Sequence, residues 1–107
     1  MSSPYSSSDD LLKQAERLIL RLYVSGASAI SRLAILNARS ICECFTVPYS
    51  LEVVDVHQQP ELAEAAGVVA VPVLVKVLPV PPQRIYGDLS DHEAVLAAVR
   101  TTSKSRT

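Results

Sequence analysis

A proline stands immediately before a run of β-branched and aliphatic residues, Pro72 then Val73-Leu74-Val75-Lys76-Val77-Leu78, and Pro79 closes it. Proline fixes φ and has no N–H to give a ladder, so a strand fits between the two prolines and not across them. Nearly every position of Val73–Leu78 is apolar, which predicts a strand covered on both faces. Pro79, Pro81 and Pro82 then form a stiff connection to a second short strand, Arg84–Tyr86. After Gly87-Asp88-Leu89, the run Ser90-Asp91-His92-Glu93 reads as a capping box, in which a Ser oxygen and a Glu carboxylate each satisfy a free backbone donor. Val95, Leu96 and Val99 give the following helix an apolar face. The C-terminal half is therefore a strand pair with a covering helix.

The N-terminal half has a different rhythm. Leu18, Leu20, Leu22 and Val24 alternate with Ile19, Arg21 and Tyr23, which predicts a central strand with two largely apolar faces. Ser28 is placed to cap a long helix to about Phe45, with Ser31, Ile35, Ala38, Ile41, Cys42 and Phe45 forming its inward stripe. Leu33 and Leu36 fall off that stripe. Pro48 ends the segment, and Leu51–His57 is the expected second strand. Pro60-Glu61 suits the first turn of a short helix, because the missing N–H would be unpaired there and the carboxylate favours the positive dipole end. Gly67 is its expected stop. Residues 1–17 read as a Ser-rich extension, disordered or weakly helical over Leu11–Arg17 behind an Asp9 or Asp10 cap, and 101–107 as a disordered tail.

The predicted order over 18–100 is βαβαββα in a single α/β domain, the thioredoxin-like arrangement: a right-handed βαβ half, then a hairpin and a helix. In such domains the proline before the third strand faces a redox cysteine pair that follows the first. Here that position holds Ser25-Gly26-Ala27-Ser28, without a thiol. The expected scaffold lacks its chemistry, so no catalytic residue is assigned.

Bulk properties narrow the function further. The 107 residues suffice for one domain, and a net charge of −1 gives no field for a polyanion. No nucleic-acid partner is expected. The longest apolar run, Val68–Val75, is too short to span a bilayer, so no membrane partner is expected either. The N-terminus lacks a charged region followed by an apolar stretch, and cytoplasmic residence is the expectation. Cys42 and Cys44, two apart on a helix, point about 200° apart and cannot pair. They read as small buried helix residues, not ligands, and neither a metal nor another cofactor is expected. His57 and His92 read as surface or cap-region residues, and Asp55, Glu61 and Glu64 as a solvated acidic face.

Together, Leu20-Arg21-Leu22-Tyr23-Val24-Ser25-Gly26, Val53-Val54-Asp55-Val56, Gln59-Pro60-Glu61-Leu62-Ala63-Glu64, Val71–Pro79 and Arg84-Ile85-Tyr86-Gly87-Asp88-Leu89-Ser90 resemble the KaiB family of circadian oscillator components. The resemblance spans roughly residues 18–100. It implies a non-catalytic protein that binds the ATPase ring of a KaiC-type hexamer, with a KaiA-like protein or a clock histidine kinase as further partner or competitor. It also implies self-association as monomer, dimer or tetramer, and metamorphism, with a tetrameric βαββααβ form beside the thioredoxin-like one.

On that resemblance Lys76 and Arg84 occupy partner-contacting positions, whereas Glu52 and Gly67 stand where family lysines are expected. Leu33 and Leu36 join them as candidate interface residues, being apolar and off the core stripe. Pro72, Pro79, Pro81, Pro82, Gly87, Asp88, Ala98 and Arg100 are the candidate conformational residues, since two packings of one chain must differ by only a few kcal/mol. The alanine-rich Ala94–Arg100 segment favours the form with a C-terminal helix. Three readings stand side by side: an interaction protein that regulates a KaiC-type ring and its timing system, a thioredoxin-type oxidoreductase, and a signalling or stress module that uses the same scaffold without KaiC.

Overall fold

The computed structural model describes residues 17–101. Of the expected Asp-capped helix only Arg17 is among these residues, in no regular element, and of the expected tail only Thr101, which belongs to the last helix; the rest of both lies outside the described residues.

Leu18–Val24 forms strand β1, and its alternation sets the layers. Leu18, Leu20, Leu22 and Val24 are buried on one face and Tyr23 on the other. β1 runs parallel to β2 (Tyr49–Asp55), with Leu20 opposite Leu51 and Leu22 opposite Val53. On its other edge it runs antiparallel to β3 (Val73–Leu78), with Leu22 opposite Leu74. β4 (Gln83–Tyr86) pairs antiparallel with β3, giving a mixed sheet in the order β2-β1-β3-β4. Helices α1 (Ala29–Cys42), α2 (Pro60–Ala65) and α3 (His92–Thr101) complete the expected βαβαββα order.

α1 and α3 cover the first face. Ala34 and Ala38 let α1 sit close to the sheet, and Ile41, Cys42, Leu74, Leu89, Val95 and Val99 fill the space around them. The short α2 covers part of the other face, where Ala63 packs with Tyr23, Val54, Val73 and Val75. Each large aliphatic side chain so buried contributes about 1.5–3 kcal/mol. Beyond the reach of α2, Arg21 and Glu52 lie directly opposite across β1 and β2 and form an ion pair at 2.9 Å.

Several boundaries differ from the sequence expectation, each for a local reason. α1 ends at Cys42, three residues early, because Cys44 and Phe45 donate to Ile41 and Cys42 carbonyls in tighter i→i−3 bonds. β2 starts and ends two residues earlier. Its end is fixed by Asp55, whose carbonyl accepts from Gln58 and Gln59 and whose Oδ1 accepts from the His57 N–H. α3 is capped by Asp91, not by Ser90: Asp91 Oδ1 accepts from the Ala94 N–H at 3.1 Å, while the Ser90 N–H goes to Asp88 Oδ1.

The stop after α2 is as expected. Gly67 adopts φ 69°, its N–H reaches the Glu64 carbonyl, and the Val68 N–H reaches that of Ala63, the paired bonds of a Schellman motif. A Cβ at Gly67 would meet only Arg84 Nη2, at an ordinary 3.7 Å, so the cost of a side chain there is conformational. Gly67→Ala is expected to lower stability by about 1 kcal/mol, read as a fall in Tm of several degrees with an unchanged far-UV spectrum.

Candidate functional site

The C-terminal end of β1 is where a thioredoxin-like sheet would place redox chemistry, and hydroxyls occupy it here. Parallel pairing in register puts Val24 opposite Asp55, and so brings Ser25 beside the turn that follows β2. Ser25 Oγ lies 2.8 Å from His57 Nε2. The Ser25 N–H donates to Ser31 Oγ, and Ser28 Oγ, the N-cap of α1, accepts from the Ser31 N–H. These oxygens satisfy backbone donors and one imidazole; none can cycle through a disulfide. Pro72, joined to Val71 by a cis bond, faces this end, and its carbonyl accepts from the Gly87 N–H at 3.0 Å.

The two thiols sit at the far end of α1, about 20 Å away at the helical rise. They differ in a way the sequence reading missed. Cys42 is buried, and burial pushes its thiol up to about 11, whereas Cys44 lies beyond the helix and is exposed. Among the described residues no cluster of His, Cys, Asp and Glu has the geometry for a metal ion.

Lys76, expected at a partner surface, is instead fully buried. On β3 it has the parity of Leu74 and so belongs to the face under α1 and α3, paired with Leu20 and Gln83 away from the Pro72 end. Its ammonium donates to the Pro79 carbonyl and, at 2.8 Å, to that of Pro81. Burial pushes its pKa below the ordinary lysine value. Arg84 is exposed on β4, yet its guanidinium is also occupied by backbone: it donates to the carbonyls of Ala66 and Gly67, completing the C-terminus of α2. One cation thus satisfies a turn from within the core and the other a helix end from the surface.

Leu33 and Leu36 are 49% and 65% exposed on the outer side of α1, and Ile30 at 47% extends their row by one turn. Leu33 and Leu36 share one face of α1, but Lys76 on β3 and Arg84 on β4 lie elsewhere, so the four candidate contact residues do not form one surface. The candidate conformational residues converge better. The Gly87 N–H reaches the Pro72 carbonyl at one end of the sheet, with Asp88 next in the chain and bonded to Asn37. Pro79 and Pro81 meet at Lys76, Pro82 follows them before β4, and Ala98 and Arg100 belong to α3.

Asn37, which sequence reasoning passed over, ties α1 to this region. Its Nδ2 donates to the Asp88 carbonyl at 2.7 Å, and its Oδ1 lies 3.1 Å from His92 Nε2. Since the amide nitrogen is the donor to Asp88, Oδ1 is left to accept and His92 Nε2 carries the proton. The signal available in the sequence was a single polar residue flanking the apolar stripe of α1.

Comparison with known proteins decides the family. Residues 21–101 match the model of the KaiB domain. The chain belongs to the KaiB family. It is 46% identical over 81 residues to the circadian clock protein KaiB3 of Synechocystis sp., covering 75% of this chain and 79% of that one. It is 49% identical over 79 residues to the circadian clock oscillator protein KaiB of a Synechococcus sp., covering 73% and 72%. Among solved structures, the N-terminal domain of SasA from Synechococcus elongatus aligns with a TM-score of 0.66 at 30% identity, over 86% of this chain and 91% of that domain. A thioredoxin from Halobacterium salinarum gives the same TM-score at 18% identity, covering 95% and 88%, a likeness of fold alone. This KaiB-family chain has a thioredoxin-like fold.

Two outcomes follow from this geometry. Lys76→Met removes both bonds to the Pro79–Pro81 turn from within the core. It is expected to destabilise by about 1–3 kcal/mol, the range for lost hydrogen bonds to a charged group, measured by urea titration. For the thiols, iodoacetamide at pH 8 is expected to label Cys44 alone in the native protein and both cysteines in denaturant. The raised Cys42 value keeps its proton in the folded state after the unfolded chain would release it, so this group's stabilising contribution is lost as pH rises from about 9 to about 11. Cys42→Ala should remove that part of the alkaline sensitivity.

Proposed function

We propose that this chain is a non-catalytic regulatory protein that docks on the ATPase ring of a KaiC-type hexamer and adjusts the output of a circadian clock or related timing system. The observation that carries this reading is family membership over residues 21–101, joined to a redox position occupied by Ser25, Ala27 and Ser28 in place of thiols. The likeness to the N-terminal domain of SasA adds weight, since it places a clock component on the same scaffold. Disulfide exchange needs a thiolate, with lowered pKa, at the start of the first helix; here Cys42 is raised instead and lies at the other end.

Lys76 is buried, the exposed Arg84 is bonded to the Ala66 and Gly67 carbonyls, and Glu52 pairs with Arg21, so the basic complement expected for the family's partner is reduced. Charge complementarity governs encounter rate and partner choice more than raw affinity. This fits a KaiC paralogue with a less acidic docking face. Contact then rests on apolar residues, of which Leu33 and Leu36 on α1 are the best exposed candidates. Self-association and a second, tetrameric βαββααβ arrangement belong to the same proposal, as do a KaiA-like protein or a clock histidine kinase as a further partner or competitor.

The test is to mix the full chain with purified KaiC-type hexamers and follow mass by native electrophoresis and size-exclusion chromatography. Co-migration with at least one ring is expected. Leu36→Glu, at an exposed position that leaves the core intact, is expected to weaken it at least tenfold. A folded wild-type chain that joins no such ring overturns the proposal.

A further inference from the structure

We propose that Asn37 is a latch that holds the C-terminal segment Gly87–Thr101 on α1, and that this segment opens as one unit while the rest of the sheet stays formed. The inference is independent of the ring-binding reading.

The connector between β4 and α3 is held in an unusual backbone course. Gly87 has φ 104°, and two residues later Leu89, which has a side chain, has φ 64°. An L-residue other than Asn or Asp rarely adopts that region, and such a conformation persists only where its surroundings over-determine it. Three things hold it here. The Leu89 side chain is buried beside Val95 and Val99. Asp88 Oδ1 accepts the Ser90 N–H at 3.0 Å. From outside the segment, Asn37 accepts from His92 and donates to the Asp88 carbonyl, spanning the strained residue on both sides.

α3 depends on that attachment. Over the described residues it runs for 10, a length at which helices do not persist alone in water. Its buried residues Val95 and Val99 lie in the core shared with α1 and β1. An undocked α3 therefore has little reason to remain helical. The sheet, in contrast, does not need it: β1 keeps β2 and β3 on its two edges, and β3 keeps β4. The division falls at Gly87, where the left-handed turn begins. Opening would bare the apolar side of Leu20, Leu22 and Leu74.

Amide hydrogen exchange on the full chain tests this. Asn37→Leu, similar in size but unable to make either bond, is expected to speed exchange of the Val95–Val99 amides at least tenfold. The Leu20–Val24 and Val73–Val75 amides should change by less than twofold. His92→Ala is expected to speed the same α3 amides by a smaller factor, and the double variant to exchange no faster than Asn37→Leu alone, because His92 acts through Asn37. Unchanged α3 amides in Asn37→Leu, or α3 and sheet amides accelerating together, would overturn the inference. If Asn37→Leu does not fold, the wild-type chain decides: α3 amides with a shallower urea dependence of exchange than the sheet amides uphold a separate opening, and an equal dependence refutes it.

Discussion

The pairing of β1 on both edges, with burial on both faces, is the constraint from which the remainder of the domain follows. A strand flanked in parallel by β2 must be reached through a crossover, which is why α1 lies between them; a strand flanked antiparallel by β3 needs the chain to return, which α2 and its glycine stop achieve. Since Leu18, Leu20, Leu22 and Val24 look one way and Tyr23 the other, both sides must be covered. The coverage is unequal. Two helices lie on one side and a helix of 6 residues on the other, and beyond that short helix the sheet carries the partly exposed Arg21–Glu52 ion pair.

Two cations of this chain are spent on its own backbone carbonyls. Lys76 binds two carbonyls of a proline-rich turn that has few N–H groups with which to satisfy its own acceptors, and Arg84 completes a helix end. A lysine buried to 0% exposure is costly unless its protons are used, and here they are. Elsewhere in the scaffold the position that would activate a sulfur carries serines whose oxygens hold the start of α1. The same geometry that could tune a nucleophile is used for capping. The likeness to thioredoxins is one of architecture, and the atoms at this strand end are hydroxyls where a disulfide would need sulfur.

Element order and layering were legible because they depend on local signals: the alternation along β1, the prolines around β3, Pro60 and Gly67 at the two ends of α2. Boundaries were less so. The ends of α1 and β2 are set by bonds from Cys44, Phe45 and Asp55 that compete with the apolar pattern and leave no trace in it. The family resemblance makes Lys76 a partner contact, although the strand itself reads as buried on both faces; only the turn three to five residues ahead shows where its protons go. Ser25 with His57, and Asn37 with Asp88 and His92, join residues 32, 51 and 55 positions apart. Nothing short of the folded topology brings those together.

The prolines at the two ends of β3 bear on more than where that strand stops. Pro72 and Pro79 lack an amide hydrogen, so neither can replace a ladder residue that slides out of line. Sliding β3 along β1 in one direction draws Pro72 into the sheet, and in the other direction Pro79. Either shift forfeits bonds and also turns the Val73 and Val75 side chains away from α2 if it is by an odd number of positions. The alignment of the central strands is therefore written into the covalent chain, as a ruler with stops at six residues.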